Sequence, residues 1–174
     1  MATKRLVVLD FDGTLFFTDV PVSMAAKELL GKPMAVSSVR KLSKSVKGKV
    51  YDLAFSKYTS KSRPNLLLIN KIARQGPDHR IIVLTKRGDR RKPQTWDLIK
   101  ANGIKFVEGI YSTDNFDIGD EQWKLQKMRA YLKKYQRISL YEDKKENIDY
   151  IKARLSSPKV SYYLVSRRQI KRIR

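Results

Sequence analysis

The sequence has no cysteine, which excludes a disulfide framework and any thiolate metal site, and fits a reducing interior compartment. It has one histidine, His79, just after Gly76-Pro77; we read it as a loop residue rather than a catalytic base. No apolar run approaches the roughly 18 to 20 residues that cross a bilayer. The amino terminus shows neither an apolar signal core nor a transit-type leader before its first strand. A soluble, intracellular protein without membrane association is therefore expected. Acidic residues are scarce as well, 17 against 38 basic ones, for a formal charge of +21. Such an excess bears on solubility and polyanion binding rather than fold, and nucleic acid is the commonest polyanion. The 174 residues make one domain with room for a small insert, and six Phe, nine Tyr and two Trp help fill its core.

What the sequence does have is a short apolar run, Leu6-Val7-Val8-Leu9, ending in Asp10-Phe11-Asp12-Gly13-Thr14. The run reads as a buried strand, and Gly13 lets the chain turn sharply after it. Alternation along a strand allows Asp10 and Asp12 to point the same way at its carboxyl end, where open α/β sheets bind ligands. Two carboxylates this close repel unless a cation or shared proton intervenes, so a divalent-metal site is one reading; ordinary solvated turn chemistry is the other.

The run LVVLDFDGTL resembles the first motif of the haloacid dehalogenase superfamily of phosphohydrolases. The resemblance implies a Rossmann-like α/β core, a parallel sheet flanked by helices, with a cap insert after the first strand. It also implies a strand ending in Thr or Ser, then a Lys, then a strand ending in paired acids. Arg80 to Thr85 is a second apolar strand ending in Thr85, and Ile138 to Asp143 a further one ending in Glu142-Asp143. Between them Asp120-Glu121 start a helix, acidic residues being favoured in a first turn. That helix carries Lys124 near its start, with Lys105 and Lys127 as competitors for the Lys role. The ending Tyr141-Glu142-Asp143-Lys144 further resembles the phosphatase-like domains of RNA-repair proteins, although those have Arg and then His where Lys144 and Asn147 stand here.

The remaining segments assign themselves around these motifs. Phe16-Phe17 and Pro21 suggest an extended flap, and Ala25 to Leu30 a short helix closed by Gly31. From Val36 to Phe55, apolar residues recur every three or four positions with Arg40, Lys41, Lys44 and Lys47 opposite, giving an amphipathic helix or two broken near Gly48. Between Val20 and Ser62 nine basic residues face two acids, Glu28 and Asp52. The resemblance implies that residues 20–62 are a small helical cap and residues 1–19 and 63–174 the core. Pro64 to Gln75 reads as a helix with Leu67, Leu68, Ile72 and Ala73 inward, Lys105 to Ile110 as a third strand, Val160 to Val165 as the last, and 166–174 as a basic tail.

By the resemblance, Asp10 is the nucleophile, Asp12 the general acid and base, and Thr85 and Lys124 stabilise the phosphoryl group. Mg2+ is held by Asp10, Asp12 through its carbonyl oxygen, and Asp143, with Glu142 as a weaker or outer ligand. Arg87, Arg90 and Arg91, at the mouth of the site, and Lys44 and Lys47, on the cap, are candidate contacts for substrate phosphate, since guanidinium groups grip phosphates in a fork. The expected reaction is removal of a terminal phosphate from an RNA or DNA end, the 3' end foremost. The alternatives are a phosphatase of nucleotides or sugar phosphates, and a ribonucleoprotein component with idle chemistry.

Overall fold

Apolar, partly β-branched runs such as Leu6–Leu9 and Ile81–Leu84 are too short for core helices and too uniformly apolar for a half-exposed strand; burial on both faces of a parallel sheet suits them. A computed structural model describes residues 5–115 and 117–173. Met1 to Lys4, Phe116 and Arg174, the last assigned to the basic tail, lie outside the described residues.

The chain begins with β1 (Arg5–Leu9) and β2 (Phe16–Phe17), then α1 (Asp19–Leu30), α2 (Val36–Arg40), α3 (Lys44–Lys57) and β3 (Arg63–Pro64). Next come α4 (Leu66–Ala73), β4 (His79–Leu84), α5 (Lys92–Ala101) and β5 (Gly109–Tyr111). It closes with α6 (Asp120–Leu132), β6 (Arg137–Glu142), α7 (Lys145–Leu155), β7 (Val160–Val165) and β8 (Ile170–Ile173). The six-stranded sheet has the order β5-β4-β1-β6-β7-β8, parallel except for β8.

β1 lies at the centre, and its alternation divides the core. Val7 and Leu9 pack with Phe11, Leu15, Leu68, Ile72 and Ile99 on one face. Leu6 and Val8 pack with Trp123, Met128, Leu140, Ile148 and Ile151 on the other. In register, Leu9 stands opposite Val83 of β4 and Tyr141 of β6, so the three carboxyl ends finish level. The residues just beyond them share one edge of the sheet.

The insert α1–α3 has its own small core of Val22, Ala25, Ala26, Val39, Val50 and Ala54, and the β2–β3 ribbon joins it to the sheet. Several elements differ from the sequence expectation. Pro21 is not in a flap but buried in the first turn of α1, where a missing N–H costs no helix bond. The amphipathic stretch breaks not at Gly48, which lies inside α3, but ahead of Ser43, whose Oγ caps α3 by accepting from Val46 N at 3.4 Å. Leu67 and Ala73 are exposed; Leu68 and Ile72 alone of the four expected residues are buried. The third strand is only Gly109–Tyr111, because Ile104 and Val107 turn into the core ahead of it. The basic tail contains an edge strand, β8, paired antiparallel with β7.

Asn65 couples insert, core and site loop. Its Oδ1 caps α4 through Leu68 N at 3.2 Å, and its Nδ2 donates to the Thr14 carbonyl at 3.0 Å. Its side chain is fully buried, so Asn65→Ala is expected to lower stability by about 1 to 3 kcal/mol in urea unfolding.

Candidate active site

Beyond β1 the chain needs a residue that tolerates positive φ and has no side chain. Gly13 supplies both: its φ is +91°, and a Cβ there would clash with the Asp143 carboxylate at the end of β6. The close approach of these two loops sets up everything else in the site. Asp10 is buried, and its Oδ2 accepts from Thr14 Oγ1 at 3.1 Å.

Lys124 reaches the other Asp10 oxygen from beneath. Its Nζ lies 2.7 Å from Asp10 Oδ1, 2.6 Å from Glu142 Oε2 and 3.1 Å from Asp120 Oδ2. Asp120 and Lys124 stand one turn apart on α6, so a single helix face supplies both charges. The ammonium is wholly buried, which alone would pull its pKa down, but Asp10, Glu142 and Asp120 outweigh burial and hold it well above the ordinary range. Asp120 shows the complementary effect: burial raises it, yet Lys124, Lys144 and Asn147 bring it to about 2.

Glu142 is fully engaged. Its Oε1 accepts from the backbone N–H of Asp143 and Lys144, each at 3.1 Å, and its Oε2 accepts from Lys124 and from Asn147 Nδ2 at 3.2 Å. Glu142, expected as a weaker or outer metal ligand, has a carboxylate oxygen within 4.8 Å of those of Asp10 and Asp120, and the same side chain positions Lys124. Asp143 is different: among the described residues its Oδ1 is buried with no hydrogen-bond partner, and Arg40, at 3.7 Å, is the cation paired with its Oδ2. Burial and then neighbouring Glu142 push the Asp143 carboxyl up to about 7. Asp10 is likewise raised, by burial first and then by Glu142, against the opposing pull of Lys124, with Asp143 and Asp120 adding to the rise. The floor therefore carries more negative charge than its own ammonium groups neutralise. The convergent carboxylates of Asp10, Asp120 and Glu142, with Asp143 and its orphaned oxygen at the same cavity, are a donor set suited to a hard divalent cation.

Asp12 points up from this floor and is gripped by Arg87. Nε and Nη2 of Arg87 reach the Asp12 carboxylate at 2.7 to 3.1 Å, and Nη1 donates to Thr59 Oγ1 at 2.9 Å. The guanidinium is sandwiched between Phe11 and Phe55, 4.5 and 4.1 Å from their ring centroids. Arg87, expected as a contact for substrate phosphate, lines the cavity with its guanidinium engaged on Asp12 and on Thr59 of the insert. Thr85, immediately past the end of β4, accepts from Arg87 N at 3.3 Å, which leaves its hydroxyl proton free to donate.

Asp10, Asp12, Thr85 and Asp143 line one cavity of about 1280 Å³ between the sheet and the helical insert, with buried Lys124 and Glu142 beneath its floor. Lys44 and Lys47 line its cap side, and Lys44 pairs loosely with exposed Asp117 at 3.8 Å. Arg90 and Arg91 also line it, both 2.6 Å from Asp52 Oδ1 of α3, so two guanidinium groups share one carboxylate. Asp120, Asn147, Lys144 and Arg40 were legible in the sequence as a helix start, a departure from the family ending and a basic face, but not as site residues. For Asp120 the signal was present, an acid four residues before Lys124 on one helix face.

Replacing the ammonium tests this web. Lys124→Met is expected to cost about 3 to 5 kcal/mol by urea unfolding at pH 7.5, since it leaves buried carboxylates unpaired. Part of the loss should return on acidification. Asp143 titrates near 7 when folded against an ordinary value of 3.8, so the folded chain keeps a proton that the unfolded chain has released. Its contribution therefore falls as pH rises from about 4 through about 7, and Asp143→Asn should flatten that fall in metal-free buffer.

No protein-family model and no curated protein matches the sequence. Solved structures do match. A haloacid dehalogenase-like hydrolase of Streptococcus pneumoniae superposes with a TM-score of 0.57 at 14% identity, over 87% of this chain and 81% of that one. Protein Tyrosine Kinase A of Mycobacterium tuberculosis gives 0.63 at 15% identity, over 92% and 83%. A chain of the Pnkp1/Rnl/Hen1 complex gives 0.54 at 15%, over 94% of this chain and 46% of that one. At such identities the likeness speaks for architecture, and with the sheet order and the small helical insert after β1 it makes this chain a haloacid dehalogenase-like fold.

Proposed function

We propose that the protein is a magnesium-dependent phosphomonoesterase that works through an aspartyl-phosphate and removes a terminal phosphate from nucleic acid, the 3' end foremost. The observation that carries the proposal is Asp10 at the floor of a wide cavity, one oxygen on buried Lys124 and the other on Thr14, with Asp143, whose Oδ1 is unpartnered, lining the same cavity.

Asp10 attacks phosphorus, and the bond from phosphorus to the leaving oxygen breaks as Asp12 gives that oxygen a proton. Asp12 then takes a proton from water, whose oxygen attacks phosphorus and returns Asp10 as carboxylate. Arg87 holds both oxygens of Asp12, so it aims the carboxylate and must yield a hydrogen bond when Asp12 carries a proton. Thr85 donates to a phosphoryl oxygen, and Lys124 holds Asp10 in place and pulls it toward its charged form against burial and Glu142. Asp10, Asp143 and the Asp12 carbonyl would hold Mg2+, which supplies positive charge to the nucleophile and the phosphoryl oxygens when bound.

The substrate class rests on charge. In a chain of +21, four carboxylates, Asp10, Asp120, Glu142 and Asp143, lie at the floor and cations such as Lys44, Lys47, Arg90 and Arg91 stand around the cavity, a net positive surround that draws a polyanion inward. Resemblance of the Tyr141-to-Lys144 ending to phosphatase-like domains of RNA-repair proteins points the same way, as does the match to a chain of the Pnkp1/Rnl/Hen1 complex.

Phosphate release from 3'- and 5'-phosphorylated oligonucleotides, free nucleotides and sugar phosphates decides the question. With magnesium the 3'-phosphorylated oligonucleotide should be the best substrate; chelation or Asp10→Asn should abolish turnover while Asp10→Asn still binds the oligonucleotide. Arg87→Lys keeps the charge but loses the fork, and should lower kcat by about 10²-fold or more. Preference for a free nucleotide would transfer the assignment to a small-molecule phosphatase, and inertness toward all of them would favour a binding protein.

A further inference from the structure

The cavity that holds the candidate nucleophile has a neighbour across a narrow turn. β7 and β8 are joined through Ser166–Gln169, where Ser166 N donates to the Gln169 carbonyl at 2.9 Å and Ser166 Oγ accepts from the N–H groups of Arg168 and Gln169 at 3.3 and 3.2 Å. The turn is thus tied at its base, and it presents two consecutive arginines to two different spaces. Arg167 stacks 4.8 Å from the Phe17 ring, pairs with Asp19 and lines the main cavity. Arg168 lines a separate groove of about 540 Å³ between the hairpin and α4.

The lining of that groove is chemically one-sided. It has three cations, Lys71, Arg74 and Arg168, and no carboxylate. All three are exposed, and among the described residues none is paired with an acid; Lys71 lies over the Tyr163 ring at 5.9 Å. Leu67, which is 45% exposed, and half-buried Ile170 add apolar surface, and Asn70 and Gln169 add amide groups that both donate and accept. Leu67 is an apolar residue that the core does not use, and it sits in a ring of uncompensated positive charge. Cations for phosphate, an aliphatic surface for sugar and base, and amides for polar edges match one nucleotide unit. The volume is within the ~300 to 1,000 Å³ common for ligand pockets.

We propose that this groove is a second subsite, for an internal phosphate and its nucleoside in a single-stranded polynucleotide whose terminal phosphate occupies the main cavity. Arg167 and Arg168 are adjacent in sequence, so the chain of the ligand passes from one space to the other over the tied turn. This inference rests on the nucleic-acid reading of the main site and goes beyond it by giving the strand a direction of exit, away from the cap and over the C-terminal hairpin.

The test uses the full chain with Asp10→Asn to prevent turnover, and labelled single-stranded oligonucleotides of 3 and 12 nucleotides carrying a 3'-phosphate. Fluorescence anisotropy is followed against salt, with and without the combined changes Lys71→Gln, Arg74→Gln and Arg168→Gln. The triple change is expected to weaken the 12-mer tenfold or more and to reduce its log–log salt slope by about 2, from roughly 0.7 per phosphate contact. It should leave the 3-mer unaffected and, in the otherwise unaltered chain, leave turnover of para-nitrophenyl phosphate unaffected. Equal loss for both lengths, or no loss for the 12-mer at an unchanged melting temperature, overturns the subsite. Release of phosphate from oligonucleotides with 12-mer affinity indifferent to the triple change refutes the groove and retains the substrate reading. Length-dependent binding that responds to the triple change, without phosphate release by the unaltered chain, refutes the substrate reading and retains the groove as a strand-binding surface. No binding of either length overturns both.

Discussion

A buried ammonium group, Lys124 Nζ, is bonded to carboxylates from three separate elements: Asp10 after β1, Asp120 at the start of α6 and Glu142 at the end of β6. Burying any one of these charges alone would be prohibitive, and the structure tolerates them because each satisfies another. Their meeting depends on the sheet register that ends β1 and β6 level, and on the helical turn that sets Asp120 beneath Lys124. Glu142 is held further by backbone N–H groups and by Asn147. The floor is consequently rigid at Lys124 and electrostatically unfinished at Asp143.

That imbalance gives the site its character. Four carboxylates, Asp10, Asp120, Glu142 and Asp143, face Lys124 and Lys144 at the floor, within a molecule whose net charge is strongly positive. Positive charge belongs at the floor and negative charge in the cavity above it, which is the order in which a metal and a phosphoryl group would stack. The cap takes part through Arg87, held between Phe11 of the core and Phe55 of α3 and bonded to Thr59 of the insert. A shift of the cap would therefore be felt at Asp12.

The legible parts of the sequence were those fixed by local rules. Apolar runs that end in Asp10, Thr85 and Glu142-Asp143 announce strands with chemistry at their carboxyl ends, and a parallel sheet brings such ends together whatever the intervening chain does. Lys124 was legible only by position among rival lysines; what singles it out is Asp120 one turn earlier, a pairing that periodicity alone does not rank. The hold of Arg87 on Asp12 and Thr59 could not be read, because a guanidinium in a basic run gives no sign that Phe55 and Thr59, about thirty residues earlier, fold over it. Pro21 and Ser43 misplaced helix ends for a similar reason: a proline suits a first turn as well as a flap, and a capping serine outranked a glycine as the break.

The central claim is that Asp10 carries the phosphoryl group between donor and water. Acid quenching during turnover of an oligonucleotide labelled in its 3'-phosphate, followed by peptide mapping, tests this directly. The account predicts a base-labile label on the peptide containing Asp10, at no more than one per chain, and none in Asp10→Asn. Label on another residue, or turnover in which labelled phosphate passes to water with no protein-bound species at any quench time, would contradict it.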